Sequence, residues 1–310
     1  MKTKNITEGA VLLGIFVLLL LMTLFIPGIG AITLFALVVP FVVYTVRNDW
    51  KMGIWFAVLA NILSLLMGSP AALVLSIPMS TVGVVMGYLF AKNSNRYAIL
   101  GAATGMYLLN LVLGYVIAIV LFEINIAAMI NEMLNDSLKN AEAMATALGQ
   151  NSEEAMELMQ QMVEQFNYLL PSGMVTIAFV FALISQWIAG FVLKRLKEPV
   201  QPFPPFRDFM LPKSLLWYYL IVILLSLLEM EKGSTLFLAT MNLSYILMLL
   251  MTVQGMSFVF HFCHEKKIAK AVPIIMLILS FLIPPLLYII RMVGIIDLGF
   301  DLRKRIKNKQ

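Results

Sequence analysis

Apolar residues fall in long blocks along this chain, and the polar residues collect in the gaps between them. Nine blocks reach or approach the roughly 17–25 residues that a helix needs to cross about 30 Å of hydrocarbon. They are 10–26, 30–46, 52–68, 70–91, 97–122, 170–193, 214–229, 234–261 and 271–291. The pattern predicts an all-α, polytopic transmembrane helical bundle of about eight or nine membrane helices. Pro27-Gly28 separates the first two blocks and Gly68-Ser69-Pro70 separates the third and fourth, so both pairs are expected to join as tight hairpins.

One stretch, 123–169, has a different pattern. Its apolar residues recur at helical spacing rather than continuously: Ile126, Met129, Ile130, Met133, Leu134 and Leu138, then Met156, Met159, Val163 and Phe166. Gly149 ends the first series. Asn151, followed three residues later by Glu154, reads as a capping box opening the second. The expectation is an external hairpin of two amphipathic helices with Met-rich faces turned toward the bundle. It is either a solvated connector or a lid over an outward-facing pocket. The chain then divides into a five-helix membrane bundle (1–122), the hairpin (123–169), and a sixth helix completing that bundle (170–194). A Pro-rich loop (195–213), C-terminal membrane helices (214–302) and a basic tail (303–310) follow.

Charge orients this arrangement. The 123–169 stretch has eight acidic residues against the single base Lys139, in a chain whose net charge is +5. The bases elsewhere sit in short gaps: Arg47 and Lys51; Lys92 and Arg96; Lys194, Arg195, Lys197, Arg207 and Lys213; Lys266, Lys267 and Lys270. Basic short loops stay in the cytoplasm. With the N-terminus inside, all four gaps fall inside and 123–169 falls outside, so a multi-pass plasma-membrane protein is expected. The last block disturbs the alternation. A single crossing by 271–291 would export Arg303, Lys304, Arg305, Lys307 and Lys309, whereas a bend at Pro284-Pro285 would return 271–302 as a re-entrant or tilted pair. The bend, with a cytoplasmic tail, is the preferred expectation.

Composition agrees with the membrane class. The chain of 310 residues is 61% hydrophobic and 13% charged, where soluble domains run near 45–50% apolar and about 25% charged. Its basic residues flank apolar runs instead of forming a patch, so no nucleic-acid partner is expected. Cys263 is the sole cysteine, so no internal disulfide can form.

The chemistry-bearing residues are sparse. The first eight blocks have no Asp, Glu, Lys or Arg at their centres, which disfavours a proton relay or voltage sensor. Their central polar residues include Asn61, Asn110, Gln186, Asn242 and Gln254, with Thr104, Ser185 and Ser244. Each is an interhelical hydrogen-bonding group or a ligand contact. Asn110, Tyr107 and Tyr115 lie on the helix entering the acidic hairpin, and Gln186 and Trp187 on the helix leaving it. They are the candidate ligand-binding residues, with Glu123 and Tyr168 at the mouth. His261-Phe262-Cys263-His264-Glu265 fits no zinc spacing, so no metal or cofactor is expected. Asp297 and Asp301 lie one helical turn apart beside Arg303, either as a catalytic pair or as caps paired with the basic tail. No nucleophile elbow, zinc-protease or phosphate-loop motif is present, and an enzyme is not expected. Pro199, Pro202, Pro204, Pro205 and Pro212 exclude regular helix from the loop around Arg207, leaving a linker or a partner-docking surface. Small residues four apart, Ala10 with Gly14, Gly83 with Gly87 and Gly101 with Gly105, let helices approach closely. Ala10 and Gly14 also suit contact with a separate subunit.

Two resemblances follow from these residues. The whole chain resembles the YybS-like family of uncharacterised bacterial membrane proteins. Pro205-Phe206-Arg207-Asp208-Phe209, Leu211-Pro212, Asn242, Gln254-Gly255, Gly294-Ile295-Ile296-Asp297 and Phe300-Asp301-Leu302-Arg303 carry that likeness. Residues 1–194 more distantly resemble the substrate-binding membrane subunits of energy-coupling-factor vitamin transporters. That likeness rests on the small residues of the first helix, Phe25-Ile26-Pro27-Gly28-Ile29-Gly30, Pro40, and Gly68-Ser69-Pro70 before the Gly83/Gly87 helix. It implies a six-helix bundle binding a vitamin-like small molecule from outside, its first helix docking on a membrane coupling subunit driven by ATPases. The acidic insert and the three further C-terminal blocks depart from that pattern. The alternative expectation is a non-transporting membrane scaffold or regulator acting through its cytoplasmic loop and tail.

Overall fold

A computed structural model describes residues 3–67, 70–124, 126–147 and 165–307. Among these residues there are thirteen α-helices, one 3-10 turn and no strand. Contacts divide the chain into two compact units, one formed by 1–133 and 174–202 and the other by 134–173 and 203–310.

The first unit contains α1 (Thr3–Phe25), α2 (Ile29–Ala36), α3 (Val39–Arg47), α4 (Trp50–Leu66), α5 (Pro70–Ala91) and α6 (Arg96–Phe122). It also contains most of α8 (Leu170–Arg195). The sequence places the helix ends locally. Gly28 adopts φ +84° between α1 and α2, a conformation that costs glycine little. The Asp49 carboxylate caps α4 by accepting from the Trp50 amide at 2.7 Å, and the Asn95 side chain caps α6 by accepting from the Tyr97 amide at 2.9 Å. The block 30–46 is not one continuous helix. It turns at Leu37–Val38 because Pro40, near the start of α3, has no amide to continue the ladder. Gly83 and Gly87 let α5 lie directly on α3: a Cβ at either would come within 2.9 Å of the Val38 or Val42 carbonyl. The core is aromatic, with Phe16 edge-on to Phe41, Phe41 edge-on to Phe56, and Tyr44 stacked on Phe56 at 4.4 Å. Asn61 of α4 receives a hydrogen bond from Ser76 and donates one to Ser80, both on α5.

The second unit contains α9 (Ser214–Ser226), α10 (Thr235–Glu265), α11 (Ala271–Leu282), α12 (Pro284–Phe300) and α13 (Leu302–Lys307). Ser234 caps α10 through the Phe237 amide. The final apolar block is broken. Ile283 is extended, and Pro284 and Pro285 open a new helix that runs to Phe300. Twelve residues of α11 span only about 18 Å, so it cannot cross the bilayer as a straight helix. Among the described residues, six segments are long and apolar enough to cross: Ile6–Phe25, Ile29–Arg47, Ala71–Ala91, Arg96–Phe122, Leu170–Arg195 and Thr235–Glu265. Three of the nine apolar blocks form shorter helices, α4, α9 and α11. The protein is a helical polytopic membrane bundle in contact with lipid.

The first helix of the expected hairpin is α7, described over Ile126–Ala147. Gly149, the Asn151–Glu154 box and most of the expected second helix lie outside the described residues; residues 165–168 are helical.

Candidate functional site

The most polar interior region of the second unit forms where α10 and α12 cross. Gly255 and Gly294 make that crossing. A Cβ on Gly255 would strike the Ile290 carbonyl, and one on Gly294 would strike the Met251 carbonyl and the Gly255 amide. Without side chains there, the backbones approach closely enough for neighbouring polar groups to meet. Gln254 and Ser257 lie three residues apart, on one face of α10. Asp297 lies on α12 and Arg303 just beyond it.

Asp297 and Gln254 are both fully buried. The Gln254 amide donates to Asp297 Oδ2 at 2.7 Å, and Arg303 Nε donates to the same oxygen at 3.0 Å. The opposite end of Gln254 accepts from the Leu211 amide at 2.9 Å. Arg303 reaches further, donating to the Arg207 carbonyl at 2.9 Å and to Ser257 Oγ at 3.2 Å. Ser257 Oγ lies 2.8 Å from the Phe206 carbonyl and 2.7 Å from that of Phe209, and its one proton serves them in turn. Outside this core, Lys213 donates to Asp301 at 2.6 Å. The lysine holds that carboxyl below the usual carboxylate range.

Together these bonds clamp the Pro-rich loop, through residues 206–213, to α10 and to the beginning of the tail. The proline-rich backbone cannot form its own ladder, so buried side chains supply partners for its carbonyls and amides. The clamped loop presents Phe206 and Met210 at its surface, and the Arg207 side chain is 40% exposed. Chemically the cluster is a sealed ion pair with hydrogen-bonding supports. Asp297 and Gln254 have no solvent access. Asp297 and Asp301 pair with different cations, Arg303 and Lys213.

Asn242 does comparable work at the other end of α10. It accepts from the Ser172 amide and donates to the Tyr168 carbonyl, tying the start of α8 to α10.

The residues expected to bind a ligand lie in the first unit. Gln186 is fully buried and donates to the Arg96 carbonyl at 2.9 Å. Asn110 donates to Thr81 Oγ1 at 3.0 Å and to the Met106 carbonyl at 2.7 Å. Residues 96 and 106 are about 15 Å apart along α6, so the two amides do not meet. Tyr107 is buried, its hydroxyl 2.8 Å from Ser185 Oγ. Trp187 is 67% exposed, although its neighbour Gln186 is fully buried. Tyr115 is half-buried, and exposed Glu123 ends α6 in a left-handed conformation. The structure therefore does not gather these six residues around one cavity. Of the expected docking residues, Ala10 and Gly14 are exposed on α1, and no atom outside α1 comes within 4 Å of a Cβ built at Gly14. Arg207 belongs to the clamp through its carbonyl.

Sequence reading singled out Gln254, Asp297 and Arg303 and offered pairing of Asp297 with the basic tail, but it did not join Gln254 to them and did not single out Ser257. Gln254 stood among the central polar groups, and Asp297 and Arg303 among the residues of the family likeness. Gln254 lies 43 residues from Asp297, a separation that gives no local periodicity to detect.

The family model described as predicted membrane protein (DUF2232) matches residues 14–298. Over 308 residues the chain is 33% identical to the uncharacterized protein YybS of Bacillus subtilis (strain 168), covering 99% of each chain. No solved structure matches it.

Proposed function

The chain belongs to the DUF2232 family of predicted membrane proteins, and from that premise we propose that it is a non-catalytic membrane scaffold. It docks partner proteins through its loop and tail at the cytoplasmic face of the plasma membrane. One observation carries this reading: the residues of the family likeness, Asn242 apart, lie in or around the clamp that fixes the loop around Arg207. Rigid, partly exposed Phe206, Arg207 and Met210 then form a pre-organised surface, and pre-organisation reduces the ordering cost of binding. The bonds from Lys213 to Asp301 and from Arg303 to the Arg207 carbonyl place the tail beside the basic loop. This favours a cytoplasmic tail, with the N-terminus inside and 123–169 outside.

A photo-crosslinking residue at Phe206 tests the proposal in intact cells. A discrete protein adduct is expected, and Arg303→Gln should abolish it by releasing the loop. No adduct, together with thermal stabilisation of the purified protein by a vitamin-like compound, would favour a transporter subunit instead. That second reading has one supporting observation. Ala10 and Gly14 face outward on α1, where the resembling transporter subunits dock. The two donations of Asn110 weigh against a ligand held by that amide; Gln186 donates to the Arg96 carbonyl while its buried Oε1 has no hydrogen-bond partner among the described residues.

A further inference from the structure

The first unit has a lateral groove of about 840 Å³ between α1, α3 and α8. One helical stripe from each helix lines it, including Leu12, Ile15 and Leu19 of α1, Val43 of α3, and Ile188 and Val192 of α8. Apart from Thr7, Glu8 and Arg47 at one end, every lining side chain is apolar.

Its dimensions select the occupant. From Glu8 to Leu19 the groove follows α1 for about 17 Å. That is close to half of the roughly 30 Å hydrocarbon thickness, or one leaflet. A partner's transmembrane helix, about 30 Å long, would run well past the groove's apolar stripe. A polar solute would find no hydrogen-bonding groups along the apolar walls. A lipid chain satisfies length and polarity together.

The polar end specifies the headgroup. Arg47 donates to Glu8 at 2.6 Å and to Glu198 at 2.7 Å, so one cation lies between two carboxylates. A headgroup bearing only negative charge would meet both carboxylates. One bearing an ammonium and a phosphate can place the first against Glu8 or Glu198 and the second against Arg47.

We infer that this groove holds the acyl portion of one zwitterionic phospholipid from the leaflet at the Glu8–Arg47 end. The inference is independent of the scaffold reading, since it concerns the other unit and needs no protein partner.

Native mass spectrometry of the delipidated protein, re-exposed to equal amounts of phosphatidylethanolamine and phosphatidylglycerol, tests it. The wild type should retain one tightly held phosphatidylethanolamine. Leu12→Trp and Val192→Trp fill the groove from different helices, and each should remove that adduct while the protein stays monodisperse. Glu8→Gln combined with Glu198→Gln should reduce the headgroup preference about tenfold, the equivalent of one hydrogen bond to a charged group. Absence of a wild-type adduct, a preference for phosphatidylglycerol, or adducts persisting in both tryptophan variants would overturn the assignment. The wild-type competition decides the headgroup without any variant.

Discussion

Replacing Arg303 by alanine is the sharpest test of the clamp. Three donations end at once: to Asp297, to the Arg207 carbonyl and to Ser257. The Asp297 side chain is fully buried and that of Arg303 is 12% exposed, so solvent screening offers little relief. Removing one partner of a buried ion pair costs about 3–5 kcal/mol, because the other charge stays buried. Gln254 still donates to Asp297 Oδ2, which places the expectation near the lower bound, about 3 kcal/mol. Asp297→Asn removes the carboxylate and leaves Arg303 without its counter-ion, at an expected cost of about 2 kcal/mol. Denaturant unfolding of the two single variants and the double variant, in one detergent, gives the coupling. Because both single changes break the same pair, the double variant should lose at least about 1 kcal/mol less than their sum. Loop release should also expose 198–212 to limited proteolysis in all three variants. Additivity within about 0.5 kcal/mol, or a cost for Arg303→Ala below about 1 kcal/mol as for an exposed pair, would refute the clamp as an energetic unit.

Other outcomes follow from the same structure. Gly255→Ala should destabilise the second unit by about 1–3 kcal/mol through overpacking against Ile290, whereas Gly14→Ala, which meets nothing, should stabilise α1 by about 0.5–1 kcal/mol; unfolding of both variants in one detergent checks the opposite signs. Asp301 titrates below its unfolded value of about 4 because Lys213 favours its charged form. Its contribution is therefore complete above that value and is lost as pH falls through the lower folded one, so Asp301→Asn should flatten this part of the acid-unfolding curve. Cysteines placed at Glu142 and Glu154 should react with an impermeant thiol reagent in intact cells, over a low background because Cys263 is buried; reaction only after lysis would reverse the orientation.

Much of the helix placement was legible from residue order. In lipid every backbone group must be satisfied within its own helix, so a run of apolar residues has few alternatives to spanning. Asn95 opens its helix through a local side-chain bond that the apolar pattern did not single out. Pro284 marks a break for an equally local reason, a missing amide, whereas the break before Pro40 divides a block that the apolar pattern read as one helix. The Met-rich spacing of 126–138 likewise predicts a helix that the structure contains as α7.

The partners of buried polar groups were decided only by tertiary structure. Gln186 and Gln254 are both amides within apolar helices. One meets the Arg96 carbonyl and the other joins a loop to a carboxylate. Each must find a partner, but which one depends on helix rotation and depth, and packing against neighbours sets both. Gly14 and Gly255 show the same limit. Both suit close helix approach, yet Gly14 faces outward and Gly255 lies against another backbone. The arrangement of the clamp depends on this choice, because Asp297 and Arg303 gain their partners only where α12 crosses α10.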